Sequence, residues 1–105
     1  MDAALQAAVE RWLQIAVEAC IDCAYRVVAD LGLTPPDSAR GAFEALVSQG
    51  VLSKELSARL GRAAGLRNIL VHDYTRIDRA LLVSVVHDDL DDLRAFGAAV
   101  AGLLT

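Results

Sequence analysis

From Asp2 to about Leu31, polar residues recur every four positions: Asp2, Gln6, Glu10, Gln14, Glu18, Asp22, Arg26 and Asp30. Between them stand Leu5, Val9, Trp12, Leu13, Ala16, Cys20, Ala24, Val27 and Leu31. This pattern predicts an amphipathic helix of about eight turns with its apolar set turned towards a core. Gly32 is a natural stop for it, and Leu33-Thr34-Pro35-Pro36-Asp37-Ser38 reads as a turn, because proline restricts the residue before it and cannot continue a helix. A second, short helix follows from about Ser38 to Gln49, with Phe43, Leu46 and Val47 inward and Gly50 at its end. Ser53 is the expected N-cap of a third helix starting at Lys54, in which Leu56, Leu60 and Ala63/Ala64 carry the apolar period. Gly61 and Gly65 each weaken that helix by roughly 1 kcal/mol relative to alanine, which points to the close approach of another helix or backbone. Asp78 is the expected cap of a last helix, whose residues Leu81, Leu82, Val85, Val86, Leu90, Leu93, Phe96, Val100 and Leu103 keep a three/four spacing. The acidic run Asp88, Asp89, Asp91 and Asp92 lies outside that spacing and reads as a solvated face.

Four helices with short connections predict an all-α chain, an irregular four-helix up-and-down bundle forming one domain over residues 1–105. No strand, repeat or low-complexity segment is visible. A chain that is 55% hydrophobic but only 5% aromatic favours closely packed helices, and a small domain this apolar often completes its burial by self-association. No apolar run approaches the roughly 20 residues of a membrane span. The N-terminus lacks a basic signal-peptide region, so the expected location is the cytoplasm. Cys20 and Cys23 lie three apart on the first helix with no further cysteine, and they read as two buried small apolar residues rather than a metal site or a disulfide.

The formal net charge of −4 argues against indiscriminate nucleic-acid binding, but its distribution is uneven. Residues 54–79 hold six basic side chains (Lys54, Arg59, Arg62, Arg67, Arg76, Arg79) against three acidic ones, and the segments on either side are acidic. Within this basic stretch lies Arg67-Asn68-Ile69-Leu70-Val71-His72-Asp73-Tyr74. It contains one of two histidines and one of two tyrosines in the chain. A guanidinium grips phosphate bidentately, and an imidazole moves protons near neutral pH. These residue types fit metal-independent RNA cleavage. His72 would act as general base on a ribose 2′-hydroxyl or as acid on the leaving oxygen, Arg67 would stabilise the phosphorane, and Asn68 would orient the imidazole or bind phosphate. On an ideal helix Asn68 and His72 share a face, whereas Arg67 and His72 are about 140° apart. Their convergence therefore needs a helix end near His72, a curling arginine side chain, or a cleft between two protomers.

Plainer roles stand beside these. Arg67 could pair with Asp73 or an acid of the last helix, and His72 could complete a helix terminus. Tyr74 could simply pack. Trp12 reads as core or interface, and His87 as surface or packing.

The pattern Arg-x4-His-x-Tyr, realised as Arg67, His72 and Tyr74, resembles the signature of HEPN-domain proteins, in particular the HepT-like toxins. Further matching elements are Gly32-Leu33 followed by Pro36-Asp37-Ser38, Ala42-Phe43-Glu44, Gly50-Val51-Leu52, Ala64-Gly65-Leu66, Ile77-Asp78 and Asp89-Leu90-Asp91-Asp92-Leu93, so that the resemblance covers roughly residues 8 to 100. A bare Arg-x4-His is weak, but the ordered set is specific. Relatives of this kind often carry a further helical stretch before the long helix, and this chain starts at Met1 almost directly in it.

The resemblance implies an all-helical, homodimeric RNA endonuclease toxin with Arg67 and His72 in an interfacial cleft. It implies no cofactor and no metal. It also implies a minimal nucleotidyltransferase antitoxin (MntA-like) that transfers AMP to Tyr74. The alternative expectation is a non-catalytic helical partner of a nucleotidyltransferase, using the same motif to hold a nucleotide or phosphate.

Overall fold

A computed structural model describes residues 2–72 and 79–103, with side chains described at all of these except 68–72, 79–83 and 85. Four helices account for most of it: α1 (Ala3–Asp30), α2 (Ala39–Ser48), α3 (Lys54–His72) and α4 (Arg79–Leu103). Among the described residues there is no strand.

The helix ends follow from local chemistry. Asp2 Oδ1 accepts the Leu5 N–H at 2.7 Å, Ser38 Oγ that of Gly41 at 3.0 Å, and Ser53 Oγ that of Leu56 at 3.1 Å. Each cap satisfies a first-turn donor that has no partner within the helix. α1 and α2 stop in the same way. Gly32 and Gly50 take left-handed backbone angles, φ 72° and 75°. Beyond α1, Gly32 N–H donates to Ala29 O (3.0 Å) and Leu33 N–H to Val28 O (3.1 Å); beyond α2, Gly50 N–H donates to Val47 O (3.0 Å) and Val51 N–H to Leu46 O (2.9 Å). Both are Schellman closures, which glycine enters without a steric penalty. The expected cap of α4, Asp78, lies outside the described residues.

Among the described residues α1 and α3 each pack against all three other helices and form the centre of the bundle. The core runs through Leu13, Val17, Ile21, Ala24 and Val28 of α1, Ala42, Phe43 and Leu46 of α2, Leu52 in the connection, Leu56, Leu60, Ala63 and Ala64 of α3, and Phe96 of α4. Phe43 and Phe96 meet edge to face, centroids 5.8 Å apart at 83°, and so tie α2 to α4 through the core. The alanines at the centre allow the close helix approach that the composition predicts. No described helix is long and apolar enough to cross a membrane. Both cysteines are free and half-buried rather than fully buried, packed beside the core, and burial pushes the Cys20 thiol up from its ordinary value.

Two expectations need correction. The inner face of α1 is Glu10, Leu13, Val17, Ile21, Ala24 and Val28, not the row containing Leu5, Trp12 and Leu31, which are 51%, 71% and 43% exposed. The reason is periodicity: a polar row repeating every four residues drifts about 40° per step on a helix of 3.6 residues per turn. It winds around α1 instead of marking one side, and it delivers Glu10 to the buried face. The acidic run of α4 is not uniformly solvated either. Asp92 is buried and accepts a 2.8 Å hydrogen bond from Arg59 Nε of α3. Asp89 is half-buried with Oδ2 out of solvent and without a hydrogen-bond partner.

Burial, followed by the neighbouring carboxylates of Asp92 and Asp88, raises the Asp89 pKa from 3.8 to about 6. The fold therefore binds a proton between those values that the unfolded chain does not. The ionised carboxylate opposes folding above about pH 6, and that cost fades as the pH falls towards 4. Asp89→Asn is accordingly expected to raise the melting temperature near pH 8, with a gain that shrinks steadily towards pH 4. A gain of equal size at both ends of a thermal-melt series would contradict this.

Candidate active site

The buried stripe of α3 reads Leu56, Leu60, Ala63 and Ala64. Arg67 follows Leu60 by seven residues and continues the same stripe where it leaves the core. The rotation of α3 that buries the leucines therefore turns Arg67 inward, towards α1. Its side chain is 29% exposed, and Nη1 lies 3.8 Å from Glu18 Oε1 of α1, itself 40% exposed. A partly exposed pair at this separation stabilises the fold by about 1 kcal/mol or less. Its effect is directional: it holds a guanidinium at the rim of the core, and a phosphate able to offer two oxygens can compete for that guanidinium. The expected partners of Arg67, Asp73 or an acid of α4, gave no hint of Glu18. Asp73 lies outside the described residues.

α3 is helical through Asn68 and His72, so the backbone carries Arg67, Asn68 and His72 within its last two turns. The side chains of Asn68 and His72 lie outside the described residues, and so does Tyr74 altogether. On regular helical backbone Asn68 and His72 occupy one face, and Arg67 a position about 140° from His72. α3 ends at His72, as expected of a site at a helix terminus.

Two of the grooves beside α3 differ sharply in charge. One, about 360 Å³, lies between the start of α2 and the middle of α3, and is lined by Ser38, Ala39, Arg40, Gly61, Ala64, Gly65 and Arg67. Two arginines and no carboxylate line it. The other, about 470 Å³, lies between α3 and α4 and is lined by Arg59, Arg62, Ala63, Leu66, Asp88, Asp89, Asp91 and Asp92. Four acids outweigh two arginines there. The larger groove therefore repels a polyanion and the smaller one, which contains Arg67, attracts it. Gly61 does not show the expected close approach of a helix or backbone: a Cβ there would meet only the Arg40 side chain, at an ordinary 3.5 Å. Nor does Gly65, since a Cβ there would meet nothing within 4 Å. Among the described residues no three His, Cys, Asp or Glu side chains gather as a metal-binding set.

Glu18 and Arg40 are the site-lining residues that sequence reasoning missed. Arg40 lies outside the basic stretch of residues 54–79, and the tally of charge by segment passed over it.

The family model described as Ribonuclease HepT-like matches residues 1–100. The mRNA nuclease HepT of Shewanella oneidensis is 38% identical over 95 residues, which cover 90% of this chain and 71% of that protein. A solved toxin–antitoxin structure with AMP-PNP matches with a TM-score of 0.89 at 34% identity, over 97% of this chain and 77% of that one. A solved structure of the tri-AMPylated Shewanella oneidensis HEPN toxin in complex with its MNT antitoxin matches with a TM-score of 0.89 at 35% identity, again over 97% and 77%.

Proposed function

The chain belongs to the HepT-like ribonuclease family, and we propose that it is the RNA endonuclease toxin of a toxin–antitoxin pair, with Arg67 and His72 as its catalytic residues. The observation that carries this reading is Arg67 itself: a half-buried guanidinium, fixed by the core-facing stripe of α3, at the rim of a groove without acids. His72 takes the proton from a ribose 2′-hydroxyl as that oxygen attacks phosphorus. The bond from phosphorus to the 5′-oxygen breaks, and that oxygen leaves with a proton from a second acid. A 2′,3′-cyclic phosphate and a 5′-hydroxyl result. Arg67 stabilises the charge that gathers on the phosphoryl oxygens between these events, and Asn68, on the His72 face, orients the imidazole. These residue types suffice for the chemistry without a metal. Substrate RNA implies action in the cytoplasm.

A dimer supplies what the motif of one protomer lacks: a second histidine at the site, and a way to bring Arg67 and His72 to one phosphate although positions 67 and 72 are about 140° apart on α3. The outer face of α1 supports this. Leu5, Ala8, Trp12, Ile15 and Ala19 are all exposed and follow a three/four spacing. Trp12 is 71% exposed, a costly placement for an indole without a partner. Antiparallel packing of two copies of α1 would set Trp12 against Ile15 of the partner subunit and Arg11 beside Glu18 of the partner subunit. That seam runs past the Glu18–Arg67 pair.

The likeness to a toxin–antitoxin complex and to an AMPylated toxin supports control by a nucleotidyltransferase antitoxin. Transfer of AMP to the Tyr74 hydroxyl would set a phosphate in the region of Arg67 and His72 and oppose the entry of RNA.

Arg67→Ala and His72→Ala are each expected to slow cleavage of a structured RNA by about 10²- to 10⁴-fold with unchanged helical circular dichroism. Equal cleavage by wild type and both variants would remove the catalytic assignment. Trp12→Glu is expected to shift the protein from dimer to monomer in analytical ultracentrifugation, and a dimer that persists would refute the α1 seam. On co-expression with its antitoxin, intact mass should show AMP-sized increments that Tyr74→Phe abolishes; the same increments on the variant would place the modification elsewhere.

A further inference from the structure

Among the described residues, the groove lined by Arg40 and Arg67 is the one beside α3 whose lining holds basic side chains and no carboxylate, and Arg67 occupies one end of it. The other guanidinium in that groove belongs to Arg40, on the first turn of α2. Its side chain lies along α3 at Gly61, where a Cβ would stand in ordinary contact with it at 3.5 Å. Gly61 and Arg67 are six residues apart on α3, about 9 Å of helical rise. The two cations, which line one groove, are therefore offset along the α3 axis rather than gathered on one point. Gly65 lies between them in sequence, is exposed, and has open space where a side chain would stand. A glycine in a helix interior costs roughly 1 kcal/mol relative to alanine. Here no neighbour requires it, and its effect is to keep the floor of the groove flat between the two arginines.

We propose that Arg40 is a second phosphate-binding residue, which holds a neighbouring backbone phosphate of single-stranded RNA while Arg67 contacts the link being cut. The proposal rests on the reading of the chain as a ribonuclease. The groove is the path of the strand, and Gly65 is the point over which the sugar between the two phosphates passes. Arg40 touches no reacting atom, so its contribution is to binding and register. Phosphate contacts of this kind carry no sequence information, and they make affinity salt-dependent. The positive end of α2, where Ser38 caps the helix, adds a field of the same sign without defining the site.

The test uses His72→Ala protein, which retains the groove and both arginines, and a fluorescent single-stranded oligoribonucleotide whose binding is followed by anisotropy from 50 to 200 mM salt. Adding Arg40→Gln should weaken binding about tenfold at the lowest salt. It should also flatten the slope of log affinity against log salt by about 0.7, the value for one phosphate contact on a single strand. Arg40→Lys should keep most of that slope. Gly65→Leu, which fills the floor without altering charge, should weaken binding while leaving the far-UV spectrum unchanged. In the otherwise wild-type protein, Arg40→Gln should raise KM by about tenfold with a much smaller change in kcat. Arg40 is exposed, so its replacement does not threaten the fold. Unchanged affinity and salt slope on Arg40→Gln, in a protein whose wild-type form cleaves the same RNA, would overturn this inference alone. Failure of the wild-type protein to cleave any RNA would instead overturn the ribonuclease reading, whatever Arg40 does.

Discussion

The rotational setting of α3 governs the rest of the site. Leu56, Leu60, Ala63 and Ala64 must be buried together, and on a helix of 3.6 residues per turn only one rotation achieves this. Arg67 is in phase with those residues. The hydrophobic effect therefore aims a charged side chain that contributes nothing to the core. Glu18 on α1 meets the guanidinium at 3.8 Å where the stripe emerges. This is a robust way to orient a cation, because rotating Arg67 away would expose the leucines as well. Asn68 and His72 follow on the same helix but on another face. Positions 67 and 72 are about 140° apart on the helix, and α3 ends at His72, so the proposed site lies at a helix end and draws on a two-protomer cleft.

Charge then sorts the surfaces that packing leaves open. The α3–α4 side is closed by the Arg59–Asp92 hydrogen bond and carries an excess of aspartates, one of them held near pH 6 by burial and its neighbours. On the α2–α3 side, Arg40 and Arg67 line a groove with no carboxylate in its lining. On the proposed reading, an acidic protein binds a polyanion without being a general nucleic-acid binder, because much of its surface repels the ligand while the Arg40–Arg67 groove attracts it. The outer face of α1, with Trp12 exposed while Val17 is buried on the inner side, is the surface that the proposed dimer would cover.

Much of the fold could be read from the chain because its signals are local. The Ser53 cap and the glycine ends at Gly32 and Gly50 depend on residues within one turn of each other, and the structure has all three where the sequence predicts them. The apolar period of α3 was also correct, since its residues recur at the helical repeat. The inner face of α1 was not, because that helix is apolar around most of its circumference and its polar row has the wrong period. The polar contacts escaped for a different reason. Arg59 and Asp92 are 33 residues apart, and Glu18 meets Arg67 from another helix, so no spacing rule connects them. The groove with Arg40 likewise exists only once α2 is docked. The motif itself was legible through its resemblance to a family. The chemistry of Asn68, His72 and Tyr74 rests on that resemblance and on their positions along the chain.

The most direct test of the central claim is a crystal structure of the protein with a 2′-deoxy oligonucleotide, which can bind but cannot be cut. The account predicts one phosphate bracketed at about 3 Å by an Arg67 guanidinium and a His72 imidazole, with Arg67 turned from Glu18 towards the phosphate oxygens. An oligonucleotide lying elsewhere on the surface, with Arg67 still on Glu18 and His72 away from any phosphate, would contradict it.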